Sequence, residues 1–401
     1  MPKSRFRGRL QSIWGSTAVL SRVAMSALLG CGTSLSAGEV TSAHFGITQD
    51  GQTVTAYTLI NDTGASATIL DYGGTIAEIR VPDRNGELGN VVMSFADFAA
   101  WEAVGHANAN IGRYVNRIRG GFTLDQVYYP LQQNEAGVTL HGGPPPYSTR
   151  IWTAAPVQPE DGASVTLALD SPAGDQGFPG DFRVEATYHL TNDNALRLDF
   201  RATTSQPTVI NLTNHIYFNL NGNSTSSVYG HMITLAADRV AVKDSLGLPT
   251  GELKPVAGTA LDLQQPVPVI RLAAAGRDTA FAEPRAAGNS QASGQLRSFD
   301  HSFAFRAGHS GVDDVVARLE DDNSGRIMEL RTTEPSVQVF VPGARAGVRS
   351  DVGKPFKPGP AIALETQHLP DSPNQPHFPS TVLRPGEEFQ STTIWSFKTQ
   401  R

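Results

Sequence analysis

The chain has 401 residues, 39% of them hydrophobic and 17% charged, a composition that can bury a core and excludes a charge-rich disordered protein. Its net charge of −6 argues against nucleic acid as the main partner, because such proteins usually carry a basic excess. The 39 glycines and 26 prolines point to many tight turns rather than long helices, and the single cysteine, Cys31, excludes an intramolecular disulfide framework and a cysteine-based zinc site.

Residues 1–37 stand apart from the rest. Lys3, Arg5, Arg7, Arg9 and Arg22 are basic, and no acid precedes Glu39. An apolar run over 23–31 and small residues over 32–37 follow. Basic, apolar and small regions in that order predict a secretory leader over 1–37 and a single body over 38–401, with export to the periplasm or beyond the cell. Leu28-Leu29-Gly30-Cys31 also resembles a bacterial lipoprotein cleavage box, which would lipidate Cys31 and tether the protein. Cleavage near Ser36 or Ala37 is one alternative, and a cytoplasmic protein with a basic extension is another. The apolar run is too short to span a bilayer, and nothing later in the chain is long enough.

The body has a period of two. Strands are expected over 54–60 and at Val165, Leu167 and Leu169, with the one good helical pattern between them, over 97–104. Phe182, Val184, Ala186, Tyr188 and Leu190 alternate with polar residues, 191–194 supplies a turn, and Leu196, Leu198, Phe200 and Ala202 alternate again. That pattern predicts an antiparallel hairpin with one buried face. Segment 273–294, rich in Ala, Gly, Ser and Arg, reads as a surface loop, and further strands fall over 327–332 and 361–367. No repeat or linker divides the body. Many short strands with Gly, Asn and Pro turns predict an all-β fold, a sandwich or barrel of antiparallel sheets.

Chemistry could reside in five stretches. Gly112-Arg113-Tyr114-Val115-Asn116-Arg117-Ile118 offers an amide and two guanidinium groups able to fix hydroxyls. In Leu140-His141-Gly142-Gly143 the tandem glycines allow a tight turn and a close approach to a ligand, although ordinary loop structure explains the pattern as well. Residues 211–220, with Asn211, Thr213, Asn214, His215 and Asn219 among aromatics, suit a sugar with its hydroxyls and apolar ring face; the alternative is a satisfied structural polar cluster. Asp300 stands between aromatics in 298–303, as a structural pair or as an acceptor for hydroxyls. Glu365 ends the apolar run 361–364, where burial would raise its pKa towards that of a general base, unless an arginine pairs with it. No histidine pair has the four-residue spacing of a helical zinc site, and neither a phosphate-binding Gly-rich loop nor a Gly-x-Ser-x-Gly elbow occurs.

Taken together and in order, these stretches resemble the aldose 1-epimerase family. The matching pieces are 112–118, 140–143, 175–180, 213–220, 251–262, 299–303, 332–340, 364–374 and 384–388, spanning nearly the whole body. The resemblance implies a large antiparallel β-sandwich of the galactose mutarotase-like supersandwich type with an open sugar cleft. It implies interconversion of the α and β anomers of free hexoses such as glucose and galactose, with no metal and no organic cofactor. By the same resemblance Glu365, of the Leu-Glu-Thr-Gln motif, is the general base, and His215, of Thr-Asn-His, is the general acid. His141 polarises the ring oxygen, while Asn116, Arg117, Asp300 and Gln338 bind the sugar. The base and acid are expected on opposite sides of the ring, with a further carboxylate near His215. The partner is a free monosaccharide, and a monomer or homodimer is expected. Val115 and Ile216 depart from the family pattern and are expected to reshape the pocket wall; Pro144-Pro145-Pro146-Tyr147 departs beside the cleft. The rival readings are a hexose-6-phosphate 1-epimerase, a glycoside hydrolase using Glu365 and Asp300, and a non-catalytic sugar-binding module.

Overall fold

Alternation of apolar and polar side chains builds the largest sheet. In the computed structural model, which describes residues 38–157, 159, 161–223, 225–275, 298–309, 311–343 and 349–400, the expected hairpin consists of Phe182–Leu190 and Ala195–Thr204, paired in register from Phe182 opposite Thr204 to Leu190 opposite Leu196. The turn between them closes through Asn194, whose φ of 65° is left-handed, a conformation asparagine tolerates well. These strands belong to a nine-stranded antiparallel sheet, in the order Thr153–Val157, Ala163–Ser171, Phe182–Leu190, Ala195–Thr204, Phe389–Thr399, Arg326–Thr332, Ala317–Asp321, Met232–Leu235, Val267–Pro268. A five-stranded sheet runs from Glu39–Ile47 to Leu88–Asn90. The leader with Cys31 and most of 273–294 lie outside the described residues; 273–275 close a short helix, Ile270–Ala275. Among the described residues no helix is long and apolar enough to cross a membrane.

A third sheet has six strands, in the order Tyr217–Phe218, Ile362–Gln367, Ser336–Val341, Phe299–Phe305, Ala237–Lys243, Pro249–Pro255. One core joins the three sheets, with Ile69 and Ile79 from the first, Leu198 and Trp395 from the second, and Val339 and Leu364 from the third. Each such aliphatic side chain contributes about 1.5–3 kcal/mol by leaving water. Ile362–Gln367 is buried along its whole length. Its even-numbered residues, Ile362 and Leu364, enter the core, so the alternation turns Ala363, Glu365 and Gln367 to the opposite face.

The expected helix forms over Phe98–Val104. Asp97 caps it by accepting from the Ala100 N–H at 2.9 Å, and Gly105, with φ 73°, ends it by donating to the Trp101 carbonyl. Phe98 and Trp101 anchor its buried side.

Candidate active site

Register across the six-stranded sheet assembles the polar floor. Glu365 lies opposite Gln338, and Gln338 lies opposite Ser302 two strands along from Glu365. The Ser302 hydroxyl donates to Gln338 Oε1, which fixes the amide so that its Nε2 donates to Asp300 Oδ1. Two cations approach Asp300 Oδ2: Lys243 Nζ at 3.5 Å and Arg117 Nη1 at 3.7 Å. About a third of the Asp300 side chain stays open (36%), whereas Glu365 is 2% exposed.

His215 meets this floor from a broken strand. Thr213–Asn214 pairs with Asn110–Ile111, the His215 N–H donates to the Ala109 carbonyl, and the Asn108 N–H donates to the His215 carbonyl. The ring stacks on Tyr217 at 4.8 Å between centroids and meets the Phe340 edge. Its Nε2 stands 3.4 Å from Glu365 Oε1. The two side chains therefore stand side by side, and Glu365 is a carboxylate beside His215. The amides of this stretch are structural. Asn211 exchanges two hydrogen bonds with the His368 backbone, Asn214 donates to Asn110 Oδ1, and Asn219 donates to the Ser226 and Pro360 carbonyls.

His141 arrives on a turn whose geometry needs glycine. Leu140 pairs with Arg117, and the His141 N–H donates to the Asn116 carbonyl at 3.0 Å. Both His141 (φ 54°) and Asn116 (φ 60°) are left-handed, and Gly142 follows at φ 83°. A Cβ on Gly142 would stand 2.2 Å from the Gly112 carbonyl oxygen, so no other residue fits there. The Asn116 N–H donates to His141 Nδ1 at 3.3 Å, which leaves Nε2 to carry the proton of the neutral ring. Arg117 binds Glu135 through both Nε (2.9 Å) and Nη2 (3.3 Å) while keeping its Asp300 contact. The other guanidinium of the motif is structural: Arg113 is fully buried, donates to the Pro179 and Gly180 carbonyls and lies over the Phe182 ring.

Protonation follows from these surroundings. Burial and then the Asp300 charge push the Glu365 carboxyl well above the usual range, against opposition from Lys243 and Arg117. Burial would raise Asp300 as well, but Lys243, Arg117, His301 and Gln338 together bring it down to about 2. Burial, His106 and Arg117 lower His141 to about 3, so its ring is neutral at physiological pH. The site thus holds a carboxylate with raised proton affinity, an imidazole within reach of it, a neutral imidazole donor, and a fixed anion flanked by donors. Among the described residues no group of three or more His, Cys, Asp or Glu is arranged to hold a metal.

The aldose 1-epimerase family model matches residues 55–396. The chain belongs to this family. A mouse galactose mutarotase is 36% identical over 362 residues, covering 89% of this chain and 98% of the relative. An aldose 1-epimerase of Escherichia coli strain K12 is 32% identical over 352 residues, covering 87% and 96%. A solved aldose epimerase homologue from C. elegans superposes with a TM-score of 0.74 at 25% identity, covering 90% of this chain and all of that one. A solved galactose 1-epimerase from Lactobacillus acidophilus shares the fold, with a TM-score of 0.74 at 22% identity, over 91% of this chain and all of that one.

As a member of the aldose 1-epimerase family the chain has its own features. Ile216, expected to reshape the pocket wall, belongs instead to the core, because alternation turns His215 and Tyr217 the other way. Val115 is fully buried, and its N–H donates to the Asn211 carbonyl. Tyr147 of the departing loop is a core residue too, and Gln176 Nε2 holds that loop by donating to the Gly143 and Pro145 carbonyls. All seven candidate residues are linked into one constellation. Sequence reasoning missed Lys243, Glu135, Tyr217 and Phe340 as neighbours of the site, and it missed His106. The His106 ring lies 5.3 Å from His215 and 6.0 Å from His141 between centroids. The signal for Lys243 was available: a lysine ending the apolar strand pattern Val240-Ala241-Val242.

Proposed function

We propose that the protein interconverts the α and β anomers of free aldoses such as glucose and galactose, with Glu365 as base and His215 as acid. The observation that carries this reading is their pairing at 3.4 Å with both side chains buried, beside a Glu365 Oε2 that is buried without a hydrogen-bond partner. In a pyranose the anomeric hydroxyl and the ring oxygen are bonded to the same carbon, so adjacent groups serve both. Glu365 takes the proton of the C1 hydroxyl while His215 gives its proton to the ring oxygen, and the C1–O5 bond breaks. The open aldehyde turns about C1–C2 and presents its other face. On closure the O5 proton returns to His215, Glu365 returns its proton to O1, and the site is restored. Each positioned group supplies on the order of 10²–10⁴-fold. The neutral His141 donates towards the ring oxygen, and Asn116, Arg117, Asp300 and Gln338 hold the remaining hydroxyls.

Free sugars fit better than hexose 6-phosphates. The phosphate reading calls for an arginine cluster, whereas Arg117 is committed to Glu135 and Asp300, and Arg113 to backbone carbonyls. A glycoside hydrolase would use Glu365 and Asp300 as its carboxyl pair; the group in contact with Glu365 is the His215 imidazole, and release of reducing ends from an oligosaccharide would favour the hydrolase. Polarimetry of freshly dissolved α-glucose, α-galactose, α-xylose and glucose 6-phosphate tests the reading. Acceleration of the free sugars is expected, and acceleration of the phosphate ester alone would overturn it. Export rests on the charge and hydropathy order of 1–37, and N-terminal sequencing of the mature protein with labelling for a lipid on Cys31 checks it.

A further inference from the structure

A lysine is an unusual residue for the place Lys243 occupies. It ends the strand Ala237–Lys243, whose preceding residues Val240, Ala241 and Val242 are buried and apolar, and is itself 8% exposed. An ammonium in such surroundings costs several kcal/mol unless it is paired. Two of its contacts are with one residue: Lys243 Nζ donates to the Asp300 backbone carbonyl and stands 3.5 Å from Asp300 Oδ2. The other Asp300 oxygen accepts from Gln338, whose amide is oriented by Ser302 and which lies opposite Glu365 on the next strand. Lysine, aspartate, glutamine and glutamate thus form a row across four neighbouring strands.

We propose that Lys243 is a positioning residue for the reaction, its ammonium pinning the Asp300 carboxylate and backbone so that the free part of that carboxylate faces the sugar. The inference rests on the reading of Asp300 as a sugar-binding group. Double attachment to side chain and carbonyl restrains both the position and the rotation of Asp300, which Arg117 alone, at 3.7 Å and shared with Glu135, does not do. The same ammonium acts at a distance on Glu365. Among the described residues, the charged or titratable groups around Glu365 include His215 and Tyr217 on the broken strand, Asp300 and His301 on the Phe299–Phe305 strand, Lys243 beyond it, Arg117, and the His141 and His106 rings beside His215. Of these, Asp300 favours the protonated carboxyl, while Lys243 and Arg117 favour the carboxylate. Removing Lys243 therefore loosens Asp300 and makes Glu365 harder to ionise.

The test compares K243M, K243R and D300N with the wild type, by mutarotation kinetics on α-galactose from pH 4.5 to 9 with thermal melts as a check on folding. K243M is expected to raise KM about tenfold with a smaller loss in kcat, and to move the acid limb of kcat/KM up by roughly half a pH unit or more. K243R should recover most of both effects, and K243M should add little to KM in the D300N background. A folded K243M with KM within twofold of wild type and an unmoved limb overturns the inference while D300N still raises KM. A D300N protein with unchanged KM instead overturns the reading of Asp300 on which it rests. If K243M does not fold, K243Q, which keeps a donor but no charge, replaces it in the same comparison under the same criteria.

Discussion

Replacing Glu365 with glutamine removes one charge and almost no volume from a strand that is buried throughout. Two effects follow, of opposite benefit. Turnover should fall by about 10²–10⁴, a rise of about 3–5 kcal/mol in the barrier, because the amide cannot accept the anomeric proton. Stability should rise at neutral and alkaline pH. Burial and Asp300 raise the Glu365 pKa well above its usual value, so between the unfolded and folded values the native state binds more protons than the unfolded chain. Stability then falls as pH climbs from about 4.3 through the folded value, by about 1.4 kcal/mol for each unit of elevation. Glutamine does not titrate and escapes that loss. The E365Q protein should therefore gain more melting temperature over wild type at pH 8 than at pH 4, bind galactose by calorimetry, and show almost no acceleration by polarimetry. A rate within tenfold of wild type refutes the catalytic part, and a melting difference no larger at pH 8 than at pH 4 refutes the electrostatic part.

H215N should likewise fold and bind sugar while losing on the order of 10²-fold or more in kcat, which single-concentration polarimetry with a binding isotherm will reveal. In the wild type the acid limb of kcat/KM should lie well above the ordinary glutamate range, and His141, already down at about 3, should add no limb between pH 5 and 9; a flat profile to pH 4.5 would contradict the Glu365 assignment. I216A should cost about 2–5 kcal/mol in a urea melt and leave KM near wild type, as a fully buried core residue requires; a shifted KM with intact stability would return Ile216 to the pocket wall.

The parts of the fold that declare themselves in sequence are those decided by local alternation. The hairpin of Phe182–Leu190 and Ala195–Thr204 was legible because its burial follows a period of two, the run 361–367 because it opens on four consecutive apolar residues, and Glu365 stood out as an acid in that apolar strand. Helix Phe98–Val104 was legible as a helical pattern over 97–104, and Asp97 and Gly105 set its ends. The stretch 211–220 was only half legible. Its amides satisfy backbone groups of distant segments, at His368, Pro360 and Gly74, and nothing local separates that duty from binding a sugar. Arg113 resembles Arg117 in sequence, yet one is sealed under carbonyl oxygens and the other opens on Asp300. His106 and Lys243 join the site through pairings across more than a hundred and 57 residues of chain respectively, which no local pattern encodes.

The central claim is that a buried Glu365–His215 pair exchanges the anomers of a free sugar. Two-dimensional exchange NMR of galactose at equilibrium measures this directly, without coupling enzymes, by following transfer between the α and β anomeric protons. Catalytic amounts of wild-type protein are expected to produce strong exchange peaks, and the E365Q/H215N double variant at equal concentration is expected to leave them at the spontaneous level. Exchange by the double variant at the wild-type rate, or none by the wild type, would contradict the claim.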